Sequence, residues 1–145
     1  MLFRDVVLSD YGLDEGKDKI LFMQADPMNI RPKYTGYDLV VASNLLEELS
    51  DPKLFLSHID ERINDGGLQV ILSAYDWTAS KTPRDKWIGG YKEDGEPVTS
   101  FDGLNGILGD KFELSGEPFD MPLSIRKSSR VTENKVLEAT IWKKK

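Results

Sequence analysis

Residue types that could bind a small molecule occur in three places along the chain. Asp26-Pro27 follows a short apolar run, Asn44 follows a second, and the aromatic residues Tyr75, Trp77 and Trp87 follow a third. A carboxylate can accept a hydrogen bond from an exocyclic amine, and an asparagine amide can donate and accept. Aromatic rings can stack on a flat ligand or face a cation. The three groups are therefore candidates for one binding site.

Each group also has a purely structural explanation, and the sequence leaves the choice open. An Asp before Pro is a common turn former, as at Asp26. Asn44, with Glu47 three residues later, fits a capping box at the start of a helical turn. Aromatic side chains in a long loop can pack on one another as a small core of their own.

Basic residues near the C-terminus form a weaker candidate. Arg126 or Arg130 could hold a substrate carboxylate, although a solvated basic loop that includes Lys127 explains them as well. The single histidine, His58, lies on a predicted helix away from the end of any strand. We assign it no catalytic role, and no other residue stands out as a catalytic acid or base.

The composition excludes several kinds of site and partner. There is no cysteine, which excludes disulfides, thiolate nucleophiles and cysteine-ligated metals, and one histidine excludes multi-histidine metal sites. The net charge of -6 argues against nucleic acids and anionic membranes. No apolar stretch has the roughly 18 residues needed to span a bilayer. We therefore expect a cytoplasmic protein that binds a small molecule and no metal, nucleic acid or membrane.

The apolar pattern predicts the elements that position the first two groups. It predicts a strand at Lys19–Gln24, ended by Pro27, and a second at Tyr37–Ser43 that is buried on both faces. A helix started by Asp51 and Pro52 and ended by Gly66-Gly67 precedes a third strand at Leu68–Ser73. Strand, helix and strand at this spacing form a βαβ unit with a parallel pair.

The second half of the chain is less regular. A long segment without clear period, Ala74–Thr99, has the character of a lid or binding loop. Ser100 is expected to cap a short helix that runs to Leu108. Strands at Lys111–Glu117 and Val136–Trp142 should be antiparallel neighbours, joined by a connection at Pro118–Lys135. The whole chain, 1–145, is predicted to be a single α/β domain.

The order of these motifs resembles a known enzyme family. The sequence at 37–46, the Pro-started helix and the sequence at 64–71 are similar to the second half of class I S-adenosylmethionine-dependent methyltransferases. Later segments resemble more narrowly the C-terminal mercaptohistidine N-methyltransferase part of ovothiol-synthesis enzymes. The matching segments are Ala74–Trp77, Thr82-Pro83, Trp87–Gly90, Asp94–Thr99, Asp102–Leu104, Pro122–Arg130 and Glu138–Trp142.

The resemblance implies a reaction and roles for the candidate residues. An imidazole nitrogen of a mercaptohistidine-type molecule attacks the methyl group of S-adenosylmethionine in line, and S-adenosylhomocysteine leaves. Positioning is the main demand of such a step. Asp26 with Pro27 would meet the adenine and Asn44 would line the cofactor pocket. The substrate would be bordered by Tyr75, Trp77, Trp87 and Arg126.

The family pattern is incomplete in this sequence. The resemblance begins after the glycine-rich turn and the first two strands, so we expect weak or lost affinity for the cofactor. The iron-dependent portion of the ovothiol enzymes has no counterpart, and no iron is expected. The predicted fold is an incomplete Rossmann-like methyltransferase sheet, mostly parallel with an antiparallel last strand, that lacks the first two strands.

The missing strands would leave residues 39–42 as an open apolar edge, which invites pairing with another chain. We expect a homodimer, a segment-swapped oligomer, or insertion of a short predicted strand at Phe3–Leu8 into the gap. Two further functions stay open. One is a non-catalytic methyltransferase-fold module for oligomerisation or partner binding, and the other is an α/β nucleotide binder of different chemistry.

Overall fold

A five-stranded mixed sheet forms the centre of the computed structural model, which describes residues 7–145. The strands of the chain are β1 Tyr37–Ser43, β2 Ile63–Ser73, β3 Tyr91–Glu93, β4 Glu96–Val98, β5 Phe112–Leu114, β6 Phe119–Arg126 and β7 Thr132–Lys144. The helices are α1 Pro52–His58 and α2 Ser100–Leu108. Short 3-10 turns lie at Leu8–Tyr11, Lys17–Lys19, Pro27–Asn29, Leu46–Glu48, Ile59–Arg62 and Arg84–Lys86.

The sheet order is β1-β2-β7-β5, and β6 also pairs with β7. β1 and β2 are parallel, whereas β7 is antiparallel to β2, β5 and β6. A separate two-stranded sheet is formed by β3 and β4. The α/β class and the incomplete Rossmann-like sheet are confirmed, with the parallel part reduced to the β1–β2 pair. Among residues 7–145, no helix is long and apolar enough to cross a membrane.

The βαβ unit is confirmed, but its helix is shorter than predicted. Asp51 caps α1 by accepting a hydrogen bond from the Leu54 N–H at 3.0 Å, and Pro52 is the first helical residue. The chain leaves the helix after His58, and β2 already begins at Ile63. Gly66 and Gly67 therefore lie inside a strand. Gly66 has a φ of +76°, which glycine tolerates, and its bend shifts the β1–β2 register.

The predicted strand at Lys19–Gln24 is wrong. Residues 20–26 have no regular structure, and Phe22 is 92% exposed. A strand needs a neighbour for its N–H and C=O groups, and the strands that would lie beside this one have no counterpart among the described residues. The strand predicted at Phe3–Leu8 lies mostly outside the described residues, and Leu8 begins a 3-10 turn.

β1 is buried on one face only, which corrects the prediction of burial on both. Ala42 is buried, whereas Leu39 is 52% and Val41 is 54% exposed. On the covered face, Ala42 is level with Ile71 of β2 and joins the core cluster. The core continues into both helices and β7 and contains Leu46, Leu49, Phe55, Leu56, Ile59, Ile63, Ile88, Leu104, Leu108, Phe112 and Trp142.

The predicted connection between the last two strands contains a strand that the sequence reading missed. β6 pairs along its length with β7, so that Phe119 is opposite Ala139 and Arg126 is opposite Thr132. Pro122 argued against a strand here. It is tolerated because β6 pairs on one edge, with β7, among the described residues. Since Ser73, the last residue of β2, pairs with Glu138, this hairpin projects beyond the carboxyl end of β2.

Two glycines bring the loop before α2 into backbone contact with that helix. A Cβ added at Gly103 would lie 1.6 Å from the Ile88 carbonyl oxygen, and one at Gly89 would lie 2.3 Å from the Ser100 nitrogen. The helix starts one residue earlier than predicted, because Thr99 forms the capping box with Asp102. The glycines that weaken α2 as an isolated helix are therefore what allow it to pack.

Replacing Gly103 by alanine should destabilise the protein, because neither the Ile88 carbonyl nor the helix backbone can move without disturbing the other. Overpacking of this kind costs about 1–3 kcal/mol of unfolding free energy. Gly106→Ala in the same helix is the control, since a Cβ there meets nothing within 4 Å. It should stabilise the protein by about 0.5–1 kcal/mol. Urea unfolding measures both, and equal effects of the two variants would contradict the close contact.

Candidate functional site

The carboxyl ends of β1 and β2 lie side by side, and each is soon followed by a strained residue. Ser43 at the end of β1 pairs with Leu72, one residue before the end of β2. Asn44 has a φ of +49° and Tyr75 a φ of +52°, both in the left-handed region. Ligands of open α/β sheets bind outside the carboxyl ends of the strands. Left-handed non-glycine residues concentrate at functional sites.

Asn44 does not cap the turn that follows it, which corrects the capping-box prediction. The 3-10 turn Leu46–Glu48 has no side-chain cap. The Asn44 N–H donates to the Leu72 carbonyl at 2.8 Å, and its Nδ2 lies 3.4 Å from the Ser43 Oγ. Its Oδ1 is buried and has no hydrogen-bond partner among the described residues. A buried acceptor without a partner requires an explanation, and a bound water, ion or ligand group is one.

Glu47 is a buried carboxylate that the sequence reading treated only as part of the cap. It is 2% exposed. Its Oε2 accepts a hydrogen bond from the Ser73 hydroxyl at 2.6 Å, and its Oε1 accepts one from the Ala74 N–H at 3.4 Å. The Ser73 Oγ accepts in turn from the Tyr75 N–H at 3.1 Å. Glu47 thereby ties the turn after β1 to the loop after β2.

Tyr75 is held at both ends. Its hydroxyl donates to Glu138 Oε1 of β7 at 3.0 Å. Burial raises the pKa of the Tyr75 phenol well above its ordinary value, and the Glu138 carboxylate raises that pKa further. The phenol therefore stays protonated and acts as a hydrogen-bond donor at neutral pH.

The structure brings together the three aromatic residues that the sequence singled out. The rings of Tyr75 and Trp77 stack with centroids 6.4 Å apart, and those of Trp77 and Trp87 with centroids 6.5 Å apart. Each indole N–H is also engaged: Trp77 donates to Ser100 Oγ at 3.0 Å and Trp87 to the Thr82 carbonyl at 2.8 Å. The row of rings is therefore fixed in place before any ligand binds.

One face of this row lines a cleft of about 500 Å³. Tyr75 and Trp77 from the loop after β2 line it, together with residues of the β3–β4 hairpin and the start of α2. The hairpin and helix contribute Gly90, Tyr91, Lys92, Pro97, Val98, Thr99 and Ser100. Trp87 stands behind Trp77 and does not line the cleft. Of the three aromatic residues predicted to border the substrate, Tyr75 and Trp77 thus line the cleft, and Trp87 packs against Trp77.

Asp26 and Pro27 lie at two adjoining clefts on the β1 side. Asp26 caps the turn Pro27–Asn29, with its Oδ1 accepting from the Met28 N–H at 2.9 Å. It lines a polar cleft of about 330 Å³, and Pro27 lines an apolar cleft of about 290 Å³ together with Val40, Val41 and Leu45. Apolar walls beside a carboxylate suit a flat ring that carries an amine.

Arg126 does not line the aromatic cleft, and its predicted contact with a substrate carboxylate stays a prediction. It pairs with Thr132 at the far end of the β6–β7 hairpin, six residues along β7 from Glu138. That separation is roughly 20 Å in an extended strand. Its guanidinium donates to the carbonyls of Ser128 and Ser129 at 3.2 and 3.3 Å, and these hydrogen bonds lie within its own turn.

Within residues 7–145, no cluster of acidic or histidine side chains could hold a metal ion.

The Tyr75 phenol should stay un-ionised in the folded protein through roughly pH 10–11, where exposed tyrosines titrate. The stability that its raised pKa contributes is fully present below about pH 10 and is lost at more alkaline pH. Tyr75→Phe should therefore leave the tyrosinate absorbance of the folded protein unchanged in this range. A loss of tyrosinate absorbance in the variant would contradict the buried phenol that donates to Glu138.

The fold is similar to that of several solved structures, one of which is a SAM-dependent methyltransferase. No protein-family model and no curated protein matches the sequence. One matching structure concerns the conversion of a disulfide bond into a thioacetal group during echinomycin biosynthesis; its TM-score is 0.60 at 13% identity over 94% of this chain. Others are a SAM-dependent methyltransferase from Methanosarcina mazei (TM-score 0.53, 13% identity, 83% of this chain) and TehB from Haemophilus influenzae (TM-score 0.51, 18% identity, 94% of this chain).

This chain covers 59%, 65% and 46% of the lengths of those three structures. At these identities the likeness concerns the fold and leaves the chemistry open. It supports the class I methyltransferase fold that the sequence motifs indicated. The structural neighbours do not address the narrower resemblance to ovothiol-synthesis enzymes. The chain therefore has a methyltransferase-like fold that carries two candidate ligand sites.

Proposed function

We propose that this protein binds S-adenosylmethionine at the carboxyl end of β1 and serves methylation of a ring nitrogen in a small heteroaromatic molecule. The observation that carries the proposal is the strained residue Asn44, whose buried Oδ1 has no partner among the described residues. A left-handed backbone and an unsatisfied acceptor both cost stability. Their occurrence together at the ligand-binding edge of a methyltransferase-like sheet supports a ligand contact there.

The clefts beside β1 fit the adenosine part of the cofactor. Pro27, Val40 and Leu45 offer apolar surface to the faces of a purine. The second carboxylate oxygen of Asp26 would accept from the exocyclic amine, since Oδ1 already binds the Met28 N–H. Asn44 Oδ1 would accept from an N–H at the other end of the molecule. When bound, S-adenosylmethionine supplies an electrophilic methyl carbon.

The aromatic cleft fits the methyl acceptor. Tyr75 and Trp77 are pre-organised by their hydrogen bonds to Glu138 and Ser100, so a flat ring can stack there without further ordering of the walls. A transfer of this kind depends mainly on orientation of the acceptor nitrogen. A mercaptohistidine-type imidazole, as the sequence resemblance implies, is the acceptor that we propose. We assign no residue as a proton acceptor.

Asn44→Gly tests the cofactor contact without straining the backbone, because glycine adopts the same left-handed conformation. S-adenosylhomocysteine titrated into the wild-type protein in a calorimeter should bind with a dissociation constant in the micromolar range. The variant should bind roughly tenfold more weakly, the effect of losing about one hydrogen bond. Its melting temperature should equal that of the wild type or exceed it. Absence of binding to the wild type, or equal affinity in the variant, would overturn the proposal.

A second candidate function is a non-catalytic module for self-association or partner binding, and the β1 edge favours it. Within residues 7–145, β1 pairs on one side only, with β2. Leu39 and Val41 on this strand are about half exposed. Val41 is a strong strand former, and Leu39 is a large apolar residue. Free, apolar edges of this kind pair readily with another chain.

Val41→Lys should abolish self-association if copies pair through β1, because a lysine on an edge strand opposes strand addition. Val136→Lys is a matched control, since Val136 is 58% exposed but lies in β7, away from the open edge. In sedimentation equilibrium the wild type and the control should show a mass that rises with concentration, whereas Val41→Lys should stay monomeric. A wild type that is monomeric at every concentration would exclude self-association.

A further inference from the structure

The aromatic cleft has a charge of its own. Of the described residues that line it, Lys92 alone carries a charged side chain. Lys92 belongs to β3, where it pairs with Pro97 of β4, and it lines the cleft together with Tyr75 and Trp77. The other lining groups are aromatic rings, aliphatic surface and the hydroxyls of Tyr75, Tyr91, Thr99 and Ser100. The cleft thus combines flat apolar walls with one ammonium group.

The Lys92 ammonium has no carboxylate partner among the described residues. None of the ion pairs formed within residues 7–145 involves it, whereas Lys81 pairs with Glu48 and Lys135 with Glu133. Arg126, the cation that the sequence reading assigned to a substrate carboxylate, donates to backbone carbonyls of its own turn. The other charged residues of its hairpin, Glu93, Asp94 and Glu96, are acidic and do not line the cleft, whereas Lys92 does.

This charge favours one of the two ligand chemistries that the aromatic residues allow. Rings such as Tyr75 and Trp77 could stack on a flat molecule or face a cation. An ammonium in the same cleft repels a cationic ligand such as a sulfonium and attracts an anion. A flat ring that bears a negative group satisfies the walls and Lys92 at once.

We propose that Lys92 is a specificity-determining residue that makes the cleft prefer planar heteroaromatic molecules with a carboxylate. The inference rests on the proposed function, in which this cleft holds the methyl acceptor. Lys92 then takes the role that the sequence assigned to Arg126. The acceptor is accordingly a heteroaromatic carboxylic acid or amino acid, rather than a neutral or cationic ring.

Nicotinate and nicotinamide test the proposal, because they have the same ring and about the same size. At neutral pH nicotinate carries a carboxylate, whereas nicotinamide is neutral. Binding to the 145-residue chain is followed by quenching of tryptophan fluorescence at neutral pH. The wild type should bind nicotinate roughly two- to fivefold more tightly than nicotinamide, the range expected for one solvent-accessible ion pair. Lys92→Met should bind both equally, and Lys92→Glu should prefer nicotinamide. Arg126→Met, the matched control, should keep the preference of the wild type.

Every other result counts against Lys92. Equal binding of both probes to the wild type, binding of neither, or loss of the preference in Arg126→Met with retention in Lys92→Met would each overturn the assignment. Because Lys92 is exposed, its variants should melt with the wild type, which separates a binding effect from unfolding. S-adenosylhomocysteine titrations distinguish the two proposals. A preference for nicotinate without binding of S-adenosylhomocysteine would overturn the proposed function alone. Binding of S-adenosylhomocysteine without a preference for nicotinate would overturn the role of Lys92 alone.

Discussion

A buried carboxylate holds the functional edge of this protein together. Burying Glu47 costs free energy that only hydrogen bonds can offset, and those bonds go to Ser73 and Ala74 at the end of β2. Ser73 then fixes the Tyr75 N–H, and Glu138 fixes the phenol of the same residue. The strained backbone of Tyr75 persists because three elements, the turn after β1, the end of β2 and β7, determine it together. The wall of the aromatic cleft depends on this arrangement.

The hairpin and helix that complete the cleft lining depend on two positions without side chains. The Trp87–Gly90 segment packs against the first turn of α2 only because Gly89 and Gly103 have no Cβ. This contact holds the long segment between β2 and α2 as an ordered structure, although it is mostly irregular. It also delivers the Ser100 hydroxyl to the Trp77 indole and the β3–β4 hairpin to the cleft. Buried polar bonds on one side and close backbone packing on the other therefore define the same space.

The sequence predicted those parts of the fold that depend on local signals. β1, β2, the cap of α1, α2 to within one residue at its start and the antiparallel β5–β7 pair all follow from apolar runs and capping residues. The prediction failed where tertiary context decides: residues 20–26 form no strand without neighbours, and β6 forms despite Pro122 because β7 pairs with it. The sequence singled out the three aromatic residues from their position after a strand, and the structure places them in one row. The sequence did not single out Glu47 and Lys92, because the burial of Glu47 and the cleft position of Lys92 arise only on folding.

β1 connects the two proposed activities physically. Its carboxyl end leads to Asn44, and its half-exposed Val41 lines the apolar cleft beside Pro27. A second chain that pairs with the open edge of β1 would lie against the same Val41. Binding at the cleft and pairing at the edge would then change each other's affinity by the same factor, because linkage between two binding equilibria is reciprocal. If the partner chain completes the cleft, association strengthens cofactor binding. If the partner chain fills the cleft, association weakens cofactor binding.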